Sequence, residues 1–209
     1  MTRTAPRPLL ICDCDEVILH MVSHFRDWLG EAHSIDFAFE QGDWAQAMTH
    51  RANGALVEEA QIWPLLEQFF RTEMRRQTVV PGAREALGKL SDHGDVVILT
   101  NIGEEAGPLR QAHLEELDIA FEVVGNRGGK GRRVMELLKR FNPSHAVFVD
   151  DLPSQIASVA KHAPGVKRLH MVSEPALALA VPPADGAHAR IDDWGAATDW
   201  IFEQWSITP

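Results

Sequence analysis

Three apolar runs, each closed by acidic or hydroxyl-bearing residues, constrain this chain more than any other feature. They are Leu9-Leu10-Ile11-Cys12 before Asp13-Cys14-Asp15, Val96-Val97-Ile98-Leu99 before Thr100-Asn101, and Ala146-Val147-Phe148-Val149 before Asp150-Asp151. A segment apolar at every position has no wet face, so each run reads as a strand buried on both sides, the pattern of a parallel sheet between layers of helices. Lys130 stands between the last two boxes, after Gly128-Gly129 and at the opening of a helical pattern. In an open parallel sheet the carboxyl ends of the strands share one crevice, so these groups are expected to converge there. Two carboxylates, a hydroxyl, an ammonium and a carboxylate pair in one crevice suit Mg²⁺-dependent phosphoryl transfer.

The rest of the pattern supports an α/β fold with a Rossmann-like parallel sheet and helices on both faces. From Pro81-Gly82 onward, helices are predicted over 83–93 (stopped by Gly94), 104–117, 131–141, 153–162 and 192–205. They alternate with strands over 95–100, 121–124, 145–149 and 166–171, and residues 175–183 read as a short helix and a loop.

The region between the first strand and Pro81 is different. Ile18, Val22, Phe25 and Leu29 recur at helical spacing with Gly30 as a stop, and residues 31–54 are mixed and interrupted by Gly42 and Gly54. A second helical stripe carries Leu56, Ala60, Trp63, Leu66, Phe70 and Met74, with Pro64 expected to kink or break it. Trp28 and Trp63 read as packing residues. Residues 19–78 are therefore expected to form a small helical insertion, and residues 1–18 with 79–209 the α/β core. An insertion rooted a few residues after Asp15 is placed to act as a lid over the crevice.

Bulk properties narrow the partners. A net charge of −10 on 209 residues argues against sequence-independent binding to nucleic acid or to anionic membranes, both of which draw on clustered Lys and Arg. No apolar stretch approaches the length of a membrane span, and no signal-like apolar segment precedes Asp13. Cys12 and Cys14, two apart on a strand, are expected to be free thiols, which fits a cytoplasmic protein.

The four boxes, Asp13-x-Asp15-x-Val17, Thr100, Lys130 and Asp150-Asp151, resemble in identity and order the motifs of the haloacid-dehalogenase-like (HAD) hydrolases, over nearly the whole chain. The insertion resembles the C1 cap of that family. Within it, His24-Phe25-Arg26-Asp27-Trp28 is similar to the first cap helix of the β-phosphoglucomutase-like group, and Pro81-Gly82 to the re-entry into the core. The resemblance implies a nucleophilic Asp13 that forms an aspartyl-phosphate and an Asp15 that acts as general acid and base. It implies that Thr100, Asn101 and Lys130 bind phosphate. It further implies that Mg²⁺ is held by Asp13, the backbone carbonyl of Asp15 and Asp150, with Asp151 acting through water or positioning Lys130.

The expected activity is that of a phosphatase acting on a small phosphorylated metabolite. The alternatives are a phosphosugar mutase with the same residues, or a phosphate-binding regulatory protein with weak turnover. Asp15 favours phosphate chemistry over carbon–halogen cleavage, because a halide leaves without a proton. His20 and His24, four apart on a predicted helix, could bind zinc, but no third ligand accompanies them. With Arg51 they are candidates to face substrate from the lid. Two departures from the family stand out: Glu16 where Gly is usual, and Gly131, not Pro, after Lys130.

Overall fold

The computed structural model describes residues 6–39, 44–102 and 106–207. Among them, six strands form one parallel sheet. The first is β1 (Leu9–Cys12). Two short strands follow around the insertion, β2 (Leu19–His20), then α1 (Val22–Trp28), β3 (Ile35–Phe37), α2 (Trp44–Ala47), β4 (Met48–His50), α3 (Glu59–Thr72) and β5 (Thr78–Val79). The alternating part runs α4 (Ala83–His93), β6 (Asp95–Thr100), α5 (Gly107–Glu116), β7 (Glu122–Gly125), α6 (Gly131–Phe141), β8 (Ala146–Asp150), α7 (Pro153–His162), β9 (Lys167–His170), α8 (Pro175–Ala180), β10 (Ala189–Arg190) and α9 (Trp194–Gln204). The sheet order is β10-β9-β8-β1-β6-β7, with every pairing parallel.

The central strands are apolar on both faces because both faces are covered. Leu10, Cys12, Ile98 and Val147 pack with α4 and α9 through Leu87, Leu90, Trp194 and Ile201. Their neighbours Leu9, Ile11, Val97 and Phe148 face the other way, onto Val134 and Leu137 of α6 and Ile156 and Val159 of α7. This is the period of two expected of a pleated strand, with each alternate face given its own helical layer. The register sets Cys12 opposite both Ile98 and Val149. Asp13 therefore emerges beside Asp150, and Thr100 ends its strand along the same edge.

The insertion leaves and returns through an antiparallel ladder, with Leu19 opposite Val79 and His20 opposite Thr78. Its core is aromatic. The Phe25 ring lies 5.4–6.0 Å from those of Trp28, Phe37, Trp44 and Phe69. Val172 and Leu177 from the region after β9 join the same cluster, tying the insertion to the α/β part.

Several expectations here need correction. The insertion is not wholly helical: Leu19–His20 is extended, and β3 pairs with β4 as a small antiparallel sheet. Gly30 does not stop α1, whose helical path continues as a π-helical turn, Leu29–His33. Ser34, in the left-handed region at φ 54°, ends it. Gly30 serves close approach instead: a Cβ there would lie 2.6 Å from Arg51 Nη2. Pro64 breaks nothing, since α3 runs through it, and the buried face of α3 centres on Ile62 and Phe69. Trp63 is 69% exposed and so is not a packing residue, whereas Trp28 is buried. The strand β10 had no sequence signal, and α5 is described from Gly107 onward. Position 104 and Gly42 lie outside the described residues.

Candidate active site

The sheet brings three of the four boxes to one edge, and α6 delivers the fourth. Asp13, Asp150 and Asp151 are all buried and each offers a carboxylate oxygen within 4.8 Å of the others. Among the described residues, they form the one cluster of His, Cys, Asp or Glu side chains close enough to share a cation. Lys130, 1% exposed, places Nζ 2.7 Å from Asp13 Oδ1 and 2.7 Å from Asp150 Oδ2. Lys130 is thus positioned by Asp13 and Asp150, not by Asp151.

The electrostatics follow from burial. Desolvation raises the Asp13 carboxyl to about 7, the Asp150 charge pushes the same way, and Lys130 pulls it down. Desolvation, then the charges of Asp150 and Asp13, hold Asp151 well above the usual carboxylate range. Burial alone would lower Lys130, but its two carboxylate partners outweigh it and hold the ammonium above its ordinary value. Three carboxylates and one ammonium leave a formal charge of −2 in a desolvated pocket of oxygen donors. That charge and that donor set fit one hard divalent cation.

Lys130 sits at the N-cap of α6, held by a loop pinned at several points. Its backbone N–H donates to Gln155 Oε1 at 2.8 Å. The carbonyl of Gly128 accepts from Asn101 Nδ2 at 2.9 Å, Asn126 Nδ2 at 3.2 Å and Gln155 Nε2 at 3.3 Å. Asn101 Oδ1 also accepts from Asn126 Nδ2 at 2.7 Å. The Asn101 side chain is therefore engaged in holding the Lys130 loop. Gly131 is required by proximity: a Cβ there would lie 2.2 Å from the Ser158 carbonyl oxygen of α7.

The Asp15 carboxylate is not part of the acidic cluster. Its Oδ1 accepts from Gln77 Nε2 at 2.7 Å and Arg110 Nη2 at 2.9 Å, and its Oδ2 lies 3.4 Å from the donating Thr100 hydroxyl. Glu16 takes the backbone at φ 59°, where Gly would be unstrained, and turns its side chain into the protein. Glu16 Oε1 accepts from the N–H groups of Met21 and Val22 at 2.7 and 2.6 Å, satisfying the first turn of α1. Burial raises this carboxyl to about 7 against those two donors.

The other candidates have partners elsewhere. His20 Nδ1 lies 3.7 Å from Glu174 Oε2, and His24 Nε2 is 3.1 Å from Thr78 Oγ1. Arg51 pairs with Asp36 at 2.7 Å and donates to the Gly30 carbonyl at 2.9 Å. Among the described residues neither histidine joins a cation cluster, and Cys12 and Cys14 are free and buried. The Cys14 N–H donates to Asp13 Oδ1 at 2.7 Å. Sequence reading missed Gln77 and Arg110 altogether. The available signal was Arg110 itself, which holds the core-facing register of α5 with Leu114 and Leu117 at four and seven residues on. A charge in that register needs a buried partner of opposite sign.

No protein-family model and no curated protein matches the chain. Solved structures do. YfnB of Bacillus subtilis, assigned to the HAD hydrolases and solved bound to magnesium, matches at TM-score 0.65 and 14% identity, covering 97% of this chain and 100% of its own. A haloacid dehalogenase-like family hydrolase of Streptococcus pneumoniae matches at TM-score 0.63 and 12% identity, covering 92% and 97%. A HAD-superfamily hydrolase of subfamily IA from Geobacter sulfurreducens matches at TM-score 0.56 and 18% identity, covering 96% and 99%. With its parallel sheet, the insertion after β1 and the carboxylates at the strand ends, the chain has the haloacid-dehalogenase-like fold.

Proposed function

We propose that the protein is a Mg²⁺-dependent phosphatase that hydrolyses a small, soluble phosphomonoester through an aspartyl-phosphate on Asp13. The observation that carries this reading is the convergence of Asp13, Asp150 and Asp151 within 4.8 Å around a buried Lys130. The magnesium bound to the structurally similar YfnB supports the choice of ion. Residues 19–78 are the cap of this enzyme, and residues 1–18 with 79–209 its core.

Asp13, Asp150 and the Asp15 carbonyl would hold Mg²⁺, with Asp151 acting through water, and the ion would supply charge neutralisation for the phosphoryl group. An Asp13 oxygen attacks phosphorus as the ester oxygen leaves and takes a proton from Asp15. Water then attacks phosphorus, gives a proton to Asp15 and frees Asp13 and inorganic phosphate. Lys130 offsets the charge that gathers between Asp13 and the phosphoryl group, and the Thr100 hydroxyl and Asn101 contribute donors to its oxygens. A closed cap excludes bulk water, which suits a substrate small enough to be enclosed.

The test is phosphate release from 4-nitrophenyl phosphate and a panel of phosphorylated metabolites, with Mg²⁺ or EDTA. EDTA should silence the enzyme and added Mg²⁺ revive it. Asp13→Asn should abolish turnover, and Asp15→Asn should lower it by roughly 10²–10⁴-fold, with both variants folded. Wild-type rates in a folded Asp13→Asn variant would sink the proposal.

A further inference from the structure

Arg110 is fully buried and Gln77 nearly so, and neither belongs to the four boxes. Together they close a ring of hydrogen bonds on Asp15. Arg110 Nη1 donates to Gln77 Oε1 at 2.8 Å, Arg110 Nη2 to Asp15 Oδ1 at 2.9 Å, and Gln77 Nε2 to the same Asp15 oxygen at 2.7 Å. Because Gln77 Oε1 is taken by the guanidinium, the amide can only present its NH₂ to Asp15, so the network has one orientation. The Phe70 ring of α3 lies 5.6 Å from the guanidinium carbon, and Arg110 Nε has no hydrogen-bond partner among the described residues.

We propose that Arg110 and Gln77 are positioning residues that fix the direction of the Asp15 carboxylate toward the reacting phosphoryl group. The inference rests on the acid–base role of Asp15 proposed above. Packing alone does not ask for an arginine here. The site on α5 is in core register, and an apolar side chain would fill it without the cost of desolvating a cation. What the arginine adds is direction, since its planar fork reaches Asp15 and Gln77 at once. A proton-transfer group must lie within about 2.6–3.2 Å of its target, so a free-swinging Asp15 would be in place only part of the time. Gln77 lies between the turn Met74–Arg76 and β5, on the segment returning from the insertion. The network is therefore built from the insertion's exit and from α5 together.

The two half-reactions report on Asp15 differently. With 4-nitrophenyl phosphate, the Asp13–phosphorus bond forms as the ester bond breaks, and nitrophenolate leaves without needing a proton. In the second half, the oxygen of water bonds to phosphorus, its proton goes to Asp15, and the Asp13–phosphorus bond breaks. Misdirecting Asp15 should therefore slow the second half and spare the first.

The experiment is rapid-mixing kinetics on Gln77→Met, Arg110→Met and Arg110→Lys in Mg²⁺, alongside thermal unfolding of each. For Gln77→Met and Arg110→Met, the expected result is a burst of about one equivalent of nitrophenolate. A steady state slower by roughly 10–100-fold follows, with KM not raised. Arg110→Lys should recover part of the rate that Arg110→Met loses. Should Arg110→Met fail to fold, Gln77→Met decides, because it keeps the Arg110–Asp15 pair. Wild-type kcat in a folded Gln77→Met variant would overturn the inference, as would a rate loss with no burst that merely tracks the loss of folded protein. A wild-type enzyme with no turnover would overturn the phosphatase reading and this inference with it. Normal turnover in the variants would overturn this inference alone.

Discussion

Replacing Lys130 by Met should separate what this residue does for folding from what it does for chemistry. Methionine keeps most of the length of the stem and removes the ammonium that lies 2.7 Å from both Asp13 and Asp150. At an effective dielectric of about 20, each contact at that distance is worth roughly 6 kcal/mol of Coulomb energy, most of it offset by the desolvation of three buried ions. Removing one partner of a buried pair costs about 3–5 kcal/mol, because the remaining charges stay buried without compensation. For a chain of this size that corresponds to a fall in Tm of about 6–20 °C. The assay is thermal unfolding in EDTA and in Mg²⁺, with phosphate release measured in parallel. Without Lys130 the pocket carries a formal −3, so Mg²⁺ should raise the Tm of the variant more than that of the wild type. It should not restore kcat, which is expected to fall about 10²–10³-fold. A variant that melts within about 2 °C of wild type in EDTA would refute the claim that Lys130 balances this cluster.

The gap between Tm in Mg²⁺ and Tm in EDTA should widen as pH rises from about 4 to about 7. The Asp13 carboxyl is raised from its ordinary 3.8 to about 7 by burial, so without a cation its contribution to stability is intact at low pH and lost as pH rises through 7. Asp150 and Asp151 are shifted the same way, also chiefly by burial. His113, lowered to about 4 by burial, has the opposite sign but acts equally with and without Mg²⁺, so it cancels in the difference. A gap independent of pH would contradict this account. Gly131→Ala should destabilise by about 1–3 kcal/mol, despite the better helix propensity of Ala, because its Cβ meets the Ser158 backbone. Gly129→Ala should cost less, since its Cβ meets the movable Ser158 hydroxyl at 2.7 Å. Equal melting curves for the two variants would count against close α6–α7 contact as the reason for Gly131.

Which parts of the fold were legible follows from where the physics is local. The buried strands announce themselves because burial on both faces demands an unbroken apolar run. Glycines bracket α4, Gly82 in the left-handed region before it and Gly94 after it, where a Cβ would lie 2.9 Å from the Pro8 carbonyl oxygen. The insertion resisted for the opposite reason. Most of its elements are short, α3 apart, and its core is one aromatic cluster gathered from α1, β3, α2 and α3, so the face each segment buries is set by the others. Trp63 fell on an apparent apolar stripe that the tertiary packing turned outward, and Gly30 looked like a stop when its missing Cβ makes room for the Arg51 guanidinium. The two-residue strand β10 is too short for any periodicity to register.

The site divides in the same way. Asp13, Thr100 and Asp150 could be placed from sequence because each follows or ends a strand whose direction and depth are themselves legible. Lys130 followed from the Gly-rich turn before α6. Arg110 and Gln77 belong to no box. One sits in mid-helix and the other in a connection, and they meet Asp15 only because α5 and the returning segment pack side by side. Even so, α5 offered a clue, for its buried residues are Gly107, Arg110, His113 and Leu114, of which only Leu114 is a large apolar side chain. A helix that turns a guanidinium and an imidazole inward is not packing for its own sake. The nearest unmatched carboxylate at the mouth of the sheet is then the first place to look for the partner. For a chain with this order of boxes that carboxylate is Asp15, the one aspartate of the first and last boxes that lies outside the Lys130 cluster.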